Sequence, residues 1–361
     1  MASPGQTVSV GAGSYPGQSI GYSAAKASAS ARIVFQCASG FGSVIGSGLS
    51  GLQLNGAQHI ELVGCDIRGD AGGTALNRSD ASSPRTTDIV IRNGRLQTFH
   101  ITSVTDFQIL NNDIGHYSYA QGFGSNSVYA DSQGRSRNVL IQGNTFQGIL
   151  SGTAGHAECL FLKAVEHVQV LGNKMLGCPG LAIALYDVGS LGANDILIQN
   201  NFLDCATGYE AQGNGCYGDG GGTNGGLAVE LSTKGQGPIS NVSLRFNTLQ
   251  AHGDPGTFLV SDPGNFSGSN VVFGNIGASM CVTGAAWLDS RNVASRNASC
   301  PGNTAIPTWG SVLDSSLHLM AGSPAIDLIP ASACGGLCPA IDVDGQPRPQ
   351  GASFDAGADE H

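Results

Sequence analysis

The sequence predicts an all-β fold in which short parallel strands wind into a solenoid, and three observations support this prediction. The 361 residues include 55 glycines, and charged residues make up only 12% of the chain. That composition favours short strands and tight turns over long helices. A phrase of alternating apolar residues recurs along the chain, and a turn at Asn or Gly interrupts each copy. Each part of the predicted fold follows from these features.

The recurring phrase supplies one strand, a corner and the start of the next strand. It begins with a polar residue, is apolar at alternate positions, turns at Asn or Gly and then resumes, as in "HVQVLGNKM". Alternation is the period of a β-strand, and Asn tolerates the left-handed conformation that a sharp corner requires. Most copies are about 28 to 29 residues apart, within the range of solenoid repeats. The first apolar residues of the copies are Ile60, Ile89, Phe107, Val139, Val168, Ile196, Val242 and Val271.

A further short apolar strand lies between successive copies, as in "ECLFLK" and "LAVELS". Three strands, an Asn corner and a variable loop then make one coil of a parallel solenoid. Stacking the coils places the corner amides in a ladder, each bonding the next about 4.8 Å away. The predicted ladder residues are Asn112, Asn144, Asn173, Asn201 and Asn247.

This repeat resembles the right-handed parallel β-helix of the pectate-lyase-like superfamily, from about residue 30 to residue 330. The segment from Ser323 to Asp327, followed by Asp342-Val343-Asp344-Gly345 and Arg348-Pro349, also resembles the tail of many secreted bacterial β-helix proteins. The resemblance implies an N-terminal cap over residues 1–32, a β-helix over residues 33–322 and an extended C-terminal tail over residues 323–361. No catalytic motif of that superfamily matches closely enough to transfer residues.

The acidic residues of the tail allow two interpretations. Asp342, Asp344 and Asp355 are expected to form turn hydrogen bonds and to pair with Arg348, so that the tail caps the open end of the solenoid. Calcium binding by Asp342 and Asp344 is the alternative, although a lone D-x-D-G lacks a complete calcium-binding loop.

Ten cysteines without repeated C-x-x-C pairs favour disulfides, which form in oxidising compartments. We therefore expect a secreted, extracellular protein whose signal peptide has been removed. For Cys178, pairing with Cys205 competes with pairing with Cys159. The expected pairs are Cys37 with Cys65, Cys159 with Cys178, Cys205 with Cys216, Cys281 with Cys300, and Cys334 with Cys338.

Charge and hydropathy exclude several classes of partner. The net charge of −10 argues against binding to nucleic acid or to an anionic membrane surface. No apolar run approaches the roughly 18 residues of a membrane span. His156-Ala157-Glu158 fits half of a zinc deaminase signature, but the required P-C-x-x-C is absent. We therefore expect no zinc site, no membrane insertion and a monomeric protein.

The candidate site follows from aligning the third strand of successive coils by its inward apolar residue. Ile101, Ala130, Leu162, Leu185 and Leu231 serve as the markers. Their neighbours point outward because side chains alternate along a strand. One outward stripe is then His100, Tyr129, Phe161, Ala184 and Glu230, and the other is Thr102, Asp131, Lys163, Tyr186 and Ser232. Aromatic, acidic and basic groups along one face are what an extended sugar chain requires.

Lys163 is the most informative outward residue because the chain contains only four lysines. Between Asp131 and Tyr186 it is expected to act as a base or to neutralise a uronate carboxylate, while Tyr186 protonates the leaving oxygen. That reaction is β-elimination, and His156 is the fourth catalytic candidate. The structural alternative is a salt bridge between Asp131 and Lys163 with a packed tyrosine. The expected substrate-binding residues are His100, Tyr129, Phe161, Glu230, His116 and Tyr119.

The sequence therefore favours a polysaccharide lyase that cleaves a uronate-containing glycan. A polyanion approaching a chain of net charge −10 would be repelled unless calcium or a local basic patch intervenes. A glycoside hydrolase acting on a more neutral glycan stays open, as does a non-catalytic glycan-binding β-helix protein. The carboxylates available to a hydrolase are Asp131, Glu158, Asp187 and Glu230.

Overall fold

The computed structural model describes most of the chain, with gaps mainly in the connections between strands. The described residues are 2–21, 31–46, 51–69, 76–78, 81–118, 126–150, 158–178, 180–186, 191–205, 227–232, 237–251, 254–284, 286–296, 300, 302–305, 309–315 and 317–361.

Nearly all of the secondary structure belongs to three long sheets, named here A, B and C. Within each sheet the coils follow one another in chain order and pair in parallel, apart from Asp254–Pro255, which pairs antiparallel with Thr248–Ala251. Sheet A contains Thr7–Val10, Ile33–Cys37, Gln58–Val63, Thr87–Arg92, Thr105–Leu110, Ser136–Gln142, Val165–Leu171, Ala193–Gln199, Ile239–Arg245, Phe266–Ser267, Asn270–Phe273 and Trp287–Ser290. Sheet B contains Gly13–Tyr15, Ser43–Ile45, Asp66–Ile67, Arg95–Leu96, Asp113–Ser118, Thr145–Leu150, Lys174–Met175, Phe202–Cys205, Thr248–Ala251, Asp254–Pro255, Ile276–Ser279, Val293–Arg296 and Thr304–Ala305. Sheet C contains Gln18–Ser19, Leu52–Gln53, Leu76–Arg78, Phe99–Thr102, Ser127–Tyr129, Leu160–Lys163, Ile183–Tyr186, Leu227–Ser232 and Thr257–Ser261.

The three parallel sheets form a β-helix, which confirms the predicted fold class. Within the described residues the helices are short: an α-helix at Ala331–Cys334 and two 3₁₀ turns at Pro263–Asn265 and Trp309–Ser311. The solenoid starts earlier than the predicted boundary at residue 33. Thr7–Val10 already pairs with Ile33–Cys37 in sheet A, so the N-terminal residues supply the first coil. The N-terminal strand joins the solenoid because pairing in register gives its backbone N–H and C=O groups hydrogen-bond partners in the next coil.

The predicted asparagine ladder is confirmed, and it continues beyond Asn247. Each ladder side chain accepts the backbone N–H and the amide N–H of the preceding ladder residue, as in the bonds of 2.9 Å and 3.0 Å from Asn144 to Asn173. The residue before each Asn occupies the left-handed region, with φ of 66° at Gly143 and 57° at Gly172. After the five predicted residues, the ladder continues through Asn275, Asn292 and Asn303.

The inward side chains of the three sheets make one continuous apolar core. In sheet A, Ile60, Ile89, Phe107 and Val139 stack in register on successive coils, and each is at most 1% exposed. Because identical register repeats from coil to coil, each added coil buries its apolar row against its neighbours. The elongated core fixes which strand residues face outward, and so positions the candidate site.

The C-terminal tail packs along the side of the solenoid, which corrects the prediction that it caps the open end. Outward apolar residues of sheet B, including Phe202, Ile276 and Val293, form a second core with Ile329 and Ala356 of the tail. This lateral position follows from burial, since those outward side chains would otherwise lie in water.

Within the tail, Arg348 is fully buried and binds mainly backbone oxygens. Its Nη2 donates to the carbonyls of Gly357 and Asp359, and its carboxylate partner is Glu360, 3.5 Å from Nε. The prediction that Arg348 pairs with Asp342, Asp344 and Asp355 is therefore wrong. Backbone carbonyls and Glu360 take their place as its partners. The turn hydrogen bonds are present, because the Asp342 carboxylate accepts the backbone N–H of Asp344 at 2.9 Å.

Four of the five expected disulfides are confirmed, and they join Cys37–Cys65, Cys159–Cys178, Cys281–Cys300 and Cys334–Cys338. Cys205 is also disulfide-bonded, which excludes the competing Cys178–Cys205 pair because Cys178 is already bonded. Its expected partner, Cys216, lies outside the described residues. Among the described residues, no helix has the length and apolar character needed to cross a membrane.

Candidate functional site on sheet C

Sheet C carries the candidate site, but at one coil its register differs from the prediction by two residues. Ile101 pairs with Val128, and Val128 pairs with Leu162, so Val128 takes the inward place expected for Ala130. The two outward rows change accordingly. Row one is His100, Ser127, Phe161, Ala184 and Glu230, and row two is Thr102, Tyr129, Lys163, Tyr186 and Ser232.

Asp131 lies beyond the end of its strand and does not stack on Lys163, contrary to the prediction. It bonds to Ser103 and forms an ion pair with the fully buried Arg78, while the N–H of Gln133 donates to its carboxylate at 2.7 Å. Mainly the hydrogen bonds from Ser103 and Gln133 and the charge of Arg78 hold the pKa of Asp131 below its usual range, against the opposing effect of burial. Asp131 is thus a structural anion at the corner between sheets C and A.

Four rings form a zigzag ladder across the outward face of sheet C. His100, Tyr129, Phe161 and Tyr186 lie on successive coils and alternate between the two rows. Each neighbouring pair makes an edge-to-face contact, with ring centroids 4.9, 5.4 and 5.1 Å apart. Edge-to-face packing suits the positive edge and negative face of aromatic rings. The register argument misplaced Tyr129, but the aromatic stripe that it predicted is present.

Lys163 lies over the Tyr129 ring, with Nζ 5.3 Å from the ring centroid. Within the described part of the chain it forms no ion pair, since Asp131 is engaged elsewhere. Most of the described basic side chains instead have a carboxylate partner, as Lys174 has in Asp344. A half-buried ammonium with an aromatic contact and no anion can receive the anionic group of a ligand.

Tyr186 and Glu230 form the most buried polar pair of the site. The Tyr186 hydroxyl donates to Oε2 of Glu230 at 2.5 Å, and each residue is 6% exposed. Glu230 comes from the next coil, where Ala184 pairs with Glu230 in register. Among the described residues no cation pairs with Glu230, and burial of a carboxylate without such a partner is costly.

Tyr129 keeps its proton at neutral pH. Burial, reinforced by the negative charge of Glu158, raises the pKa of its phenol far above the ordinary value. Glu158 is itself 2% exposed and lies just before the strand Leu160–Lys163. His100 accepts or donates a 2.7 Å hydrogen bond between Nδ1 and the Ser127 hydroxyl, and burial lowers the pKa of its imidazole. The site therefore combines a neutral phenol, a neutral imidazole and an ammonium.

The remaining predicted residues do not join this cluster. His116 lies on a strand of sheet B, where it is exposed and bonds Asp113 at 2.8 Å, so it is not part of the sheet C face. Its predicted substrate-binding role stays a prediction. His156, Tyr119 and Asp187 lie outside the described residues. Sequence reasoning missed Ser127. In "SVYAD" either Val128 or Ala130 could be the inward residue, and choosing Val128 would have placed Ser127 on the outward face.

The tail aspartates do not fit the calcium alternative. Asp342 Oδ1 accepts two backbone N–H groups, and Asp344 forms an ion pair with Lys174 at 2.5 Å. His318, Asp344 and Asp359 are the described residues whose ligand atoms cluster closely enough for a metal. Lys174 and the N–H of Leu319 already occupy the two carboxylates. Calcium requires six to eight oxygen ligands, so this donor set fits an ion-pair network instead.

Comparisons with known proteins leave the function to be argued from the site. No family model and no curated protein match the chain. A solved structure similar to it is a mannuronic acid specific polysaccharide family 6 lyase enzyme from human gut microbiota. That structure is 11% identical, with a TM-score of 0.22, over 75% of this chain and 81% of that chain. A likeness at this score carries no functional argument. The fold and the site define a parallel β-helix protein with an aromatic and ionisable face on sheet C.

Proposed function

We propose that this protein is a secreted, carbohydrate-active β-helix protein, and that the outward face of sheet C cleaves a uronate-containing glycan by β-elimination. The observation that carries the proposal is Lys163, a cation without a carboxylate partner among the described residues, lying on the Tyr129 ring beside the Tyr186–Glu230 pair. Disulfides at four described pairs support secretion.

The aromatic ladder supports binding of an extended sugar chain. Its four rings span three coil steps, or about 14 Å at the usual spacing of strands. That length corresponds to a short run of sugar units. Ring edges and faces offer apolar area to the C–H faces of sugars, while the tyrosine hydroxyls offer hydrogen bonds. Phe161, near the middle of the ladder, contributes only apolar area.

The ionisable groups fit the three tasks of β-elimination. Lys163 would pair with the uronate carboxylate and stabilise the negative charge that develops when the adjacent C5 proton leaves. Tyr186, which donates to Glu230, would receive that proton while its own proton passes to Glu230. Tyr129, which carries its proton at neutral pH, would protonate the O4 leaving oxygen as the C4–O4 bond breaks, and Lys163 over its ring would offset the negative charge left on the phenol. The electron pair of the C5–H bond becomes the C4–C5 double bond.

A panel of uronate polymers tests the proposal through the absorbance of the unsaturated product end. We expect activity on at least one polymer, and Lys163→Ala should reduce turnover by roughly 10²-fold or more. Lys174→Ala is the matched control, because Lys174 pairs with Asp344 away from sheet C and its loss should leave turnover unchanged. Full activity of the Lys163→Ala variant would place the active site elsewhere.

Glycoside hydrolysis is the second candidate, and the burial of Glu158 and Glu230 favours it. Both carboxylates are at most 6% exposed, and glycosidases use a pair of carboxyl groups on opposite sides of the bond. A reducing-sugar assay without any unsaturated product would indicate hydrolysis and exclude elimination. Glycan binding that is weakened by Lys163→Ala, without any cleavage, would identify a binding module.

A further inference from the structure

Arg245 lies on the outward face of sheet A. Unlike Arg92 and Arg137 on the same face, it has no carboxylate partner among the described residues. Its Nη2 donates to the Ser243 hydroxyl at 3.2 Å, whereas its Nε is buried and has no hydrogen-bond partner. Within the described part of the chain it forms no ion pair. Burial lowers the pKa of its guanidinium, and no carboxylate opposes that effect. Buried donors of this kind are usually satisfied by a water or an ion.

Arg92 shows what such an arginine binds at the same place in the repeat. Strand pairing from coil to coil brings Arg92 and Arg245 to equivalent positions at the end of their sheet A strands. Arg92 donates through Nε to Glu61 at 2.6 Å. Glu61 lies in the preceding coil, where it pairs with Val90, two residues before Arg92. A carboxylate in the neighbouring coil therefore satisfies Nε of Arg92.

The equivalent place beside Arg245 holds Leu197. Ser243, two places before Arg245, pairs with Leu197 of the preceding coil, as Val90 pairs with Glu61. A cavity of about 110 Å³ opens there, lined by Leu197, Ser243, Arg245 and Gln169. At its edge His167 and Asp195 bond each other at 2.7 Å, so Asp195 already has a partner. The cavity thus lies beside Leu197 and is lined by the guanidinium group of Arg245 and the Ser243 hydroxyl, with no ion pair to Arg245 among the described residues.

We infer that this cavity binds the carboxylate group of an external ligand, with the guanidinium group of Arg245 and the Ser243 hydroxyl as donors. Guanidinium groups bind carboxylates more strongly than neutral donors do, because both partners are charged. The ligand is a free small carboxylate or the carboxylate of an acidic sugar, since both present the same group.

Thermal unfolding in sodium acetate and in sodium glucuronate tests the inference, with sodium chloride and glucose at matched concentrations as controls. A ligand that binds the folded state raises the unfolding midpoint, here by about 2 °C at roughly five times its dissociation constant, and the rise grows with concentration. A rise with acetate and glucuronate supports a site for any accessible carboxylate. A rise with glucuronate alone supports an acidic sugar as the ligand. Arg245→Met should abolish either rise.

Leu197→Glu is the second variant, and it keeps Arg245. It supplies an internal carboxylate at the position of Glu61, so the variant should unfold at a higher temperature than the parent and should no longer respond to acetate. This outcome does not depend on the removal of a buried side chain. Equal responses of the parent and the Arg245→Met variant, or equal effects of acetate and chloride, would overturn the inference and leave water as the partner of Arg245.

Discussion

Removal of one rung from the asparagine ladder should be among the most destabilising single changes in the solenoid. Asn173 is fully buried and its side chain makes four hydrogen bonds. Its Oδ1 accepts the backbone and side-chain N–H groups of Asn144, and its Nδ2 donates to Ile141 O and to Oδ1 of Asn201. Asn173→Ala removes all four bonds and leaves the backbone N–H of Asn144 without its partner in the core, while Oδ1 of Asn201 keeps the backbone N–H of residue 173.

The expected cost follows from these bonds. A typical hydrogen bond contributes about 1 kcal/mol net, and a stranded buried group costs about 1–3 kcal/mol. We therefore expect Asn173→Ala to lower the free energy of unfolding by about 3–5 kcal/mol, within the range of severe single substitutions. Denaturant unfolding followed by circular dichroism, with disulfides intact, measures the change.

Asn303 provides the matched control at the last described rung. It is only half-buried, although its Oδ1 accepts the backbone N–H of Asn292 at 3.0 Å. Water can replace bonds lost at this rung, so Asn303→Ala should cost about 1 kcal/mol. If the two variants lose equal stability, burial of the ladder is not the source of its contribution.

Three other predictions concern separate parts of the molecule. Replacing Cys159 and Cys178 together by serine opens a loop with a sequence separation of 19 residues, and should cost about 3 kcal/mol in denaturant unfolding; an unchanged midpoint would contradict this. The pKa of His318 is raised by its hydrogen bond to Asp359, so its stabilising effect is present below the unfolded-state pKa and is lost as pH rises through the folded-state pKa. The effect is small because the side chain is exposed and screened; parent and His318→Gln unfolding midpoints, compared from about pH 5 to pH 9, should differ most at the acidic end, and a constant difference would refute the linkage. Phe161→Ala should weaken glycan retention in affinity electrophoresis by about fivefold, the contribution of one aromatic contact, and unchanged retention would remove the ring ladder from the binding site.

The coil could be predicted from local sequence patterns. Alternation from Ile60 onward and the corner at Asn112 are local requirements of strand pleat and backbone conformation, and neither depends on distant residues. Stacking then follows, because a single coil cannot bury its apolar face alone. The disulfide between Cys37 and Cys65 could be predicted for the same reason, since both residues follow strands one coil apart.

Only the tertiary structure decided the register of the candidate site and the place of the tail. In "SVYAD" either Val128 or Ala130 satisfies the local alternation, and backbone pairing of Val128 with Leu162 on the next coil selects Val128. That choice moves Tyr129 beside Lys163, and the longer connection before Ser136 leaves Asp131 to pair with Arg78. The tail likewise lies where outward apolar side chains of sheet B need cover, which depends on stacking of residues far apart in the chain. A two-residue shift keeps each side chain on its face but moves it along the strand, so contacts between coils, and not the local pattern, determine which side chains meet.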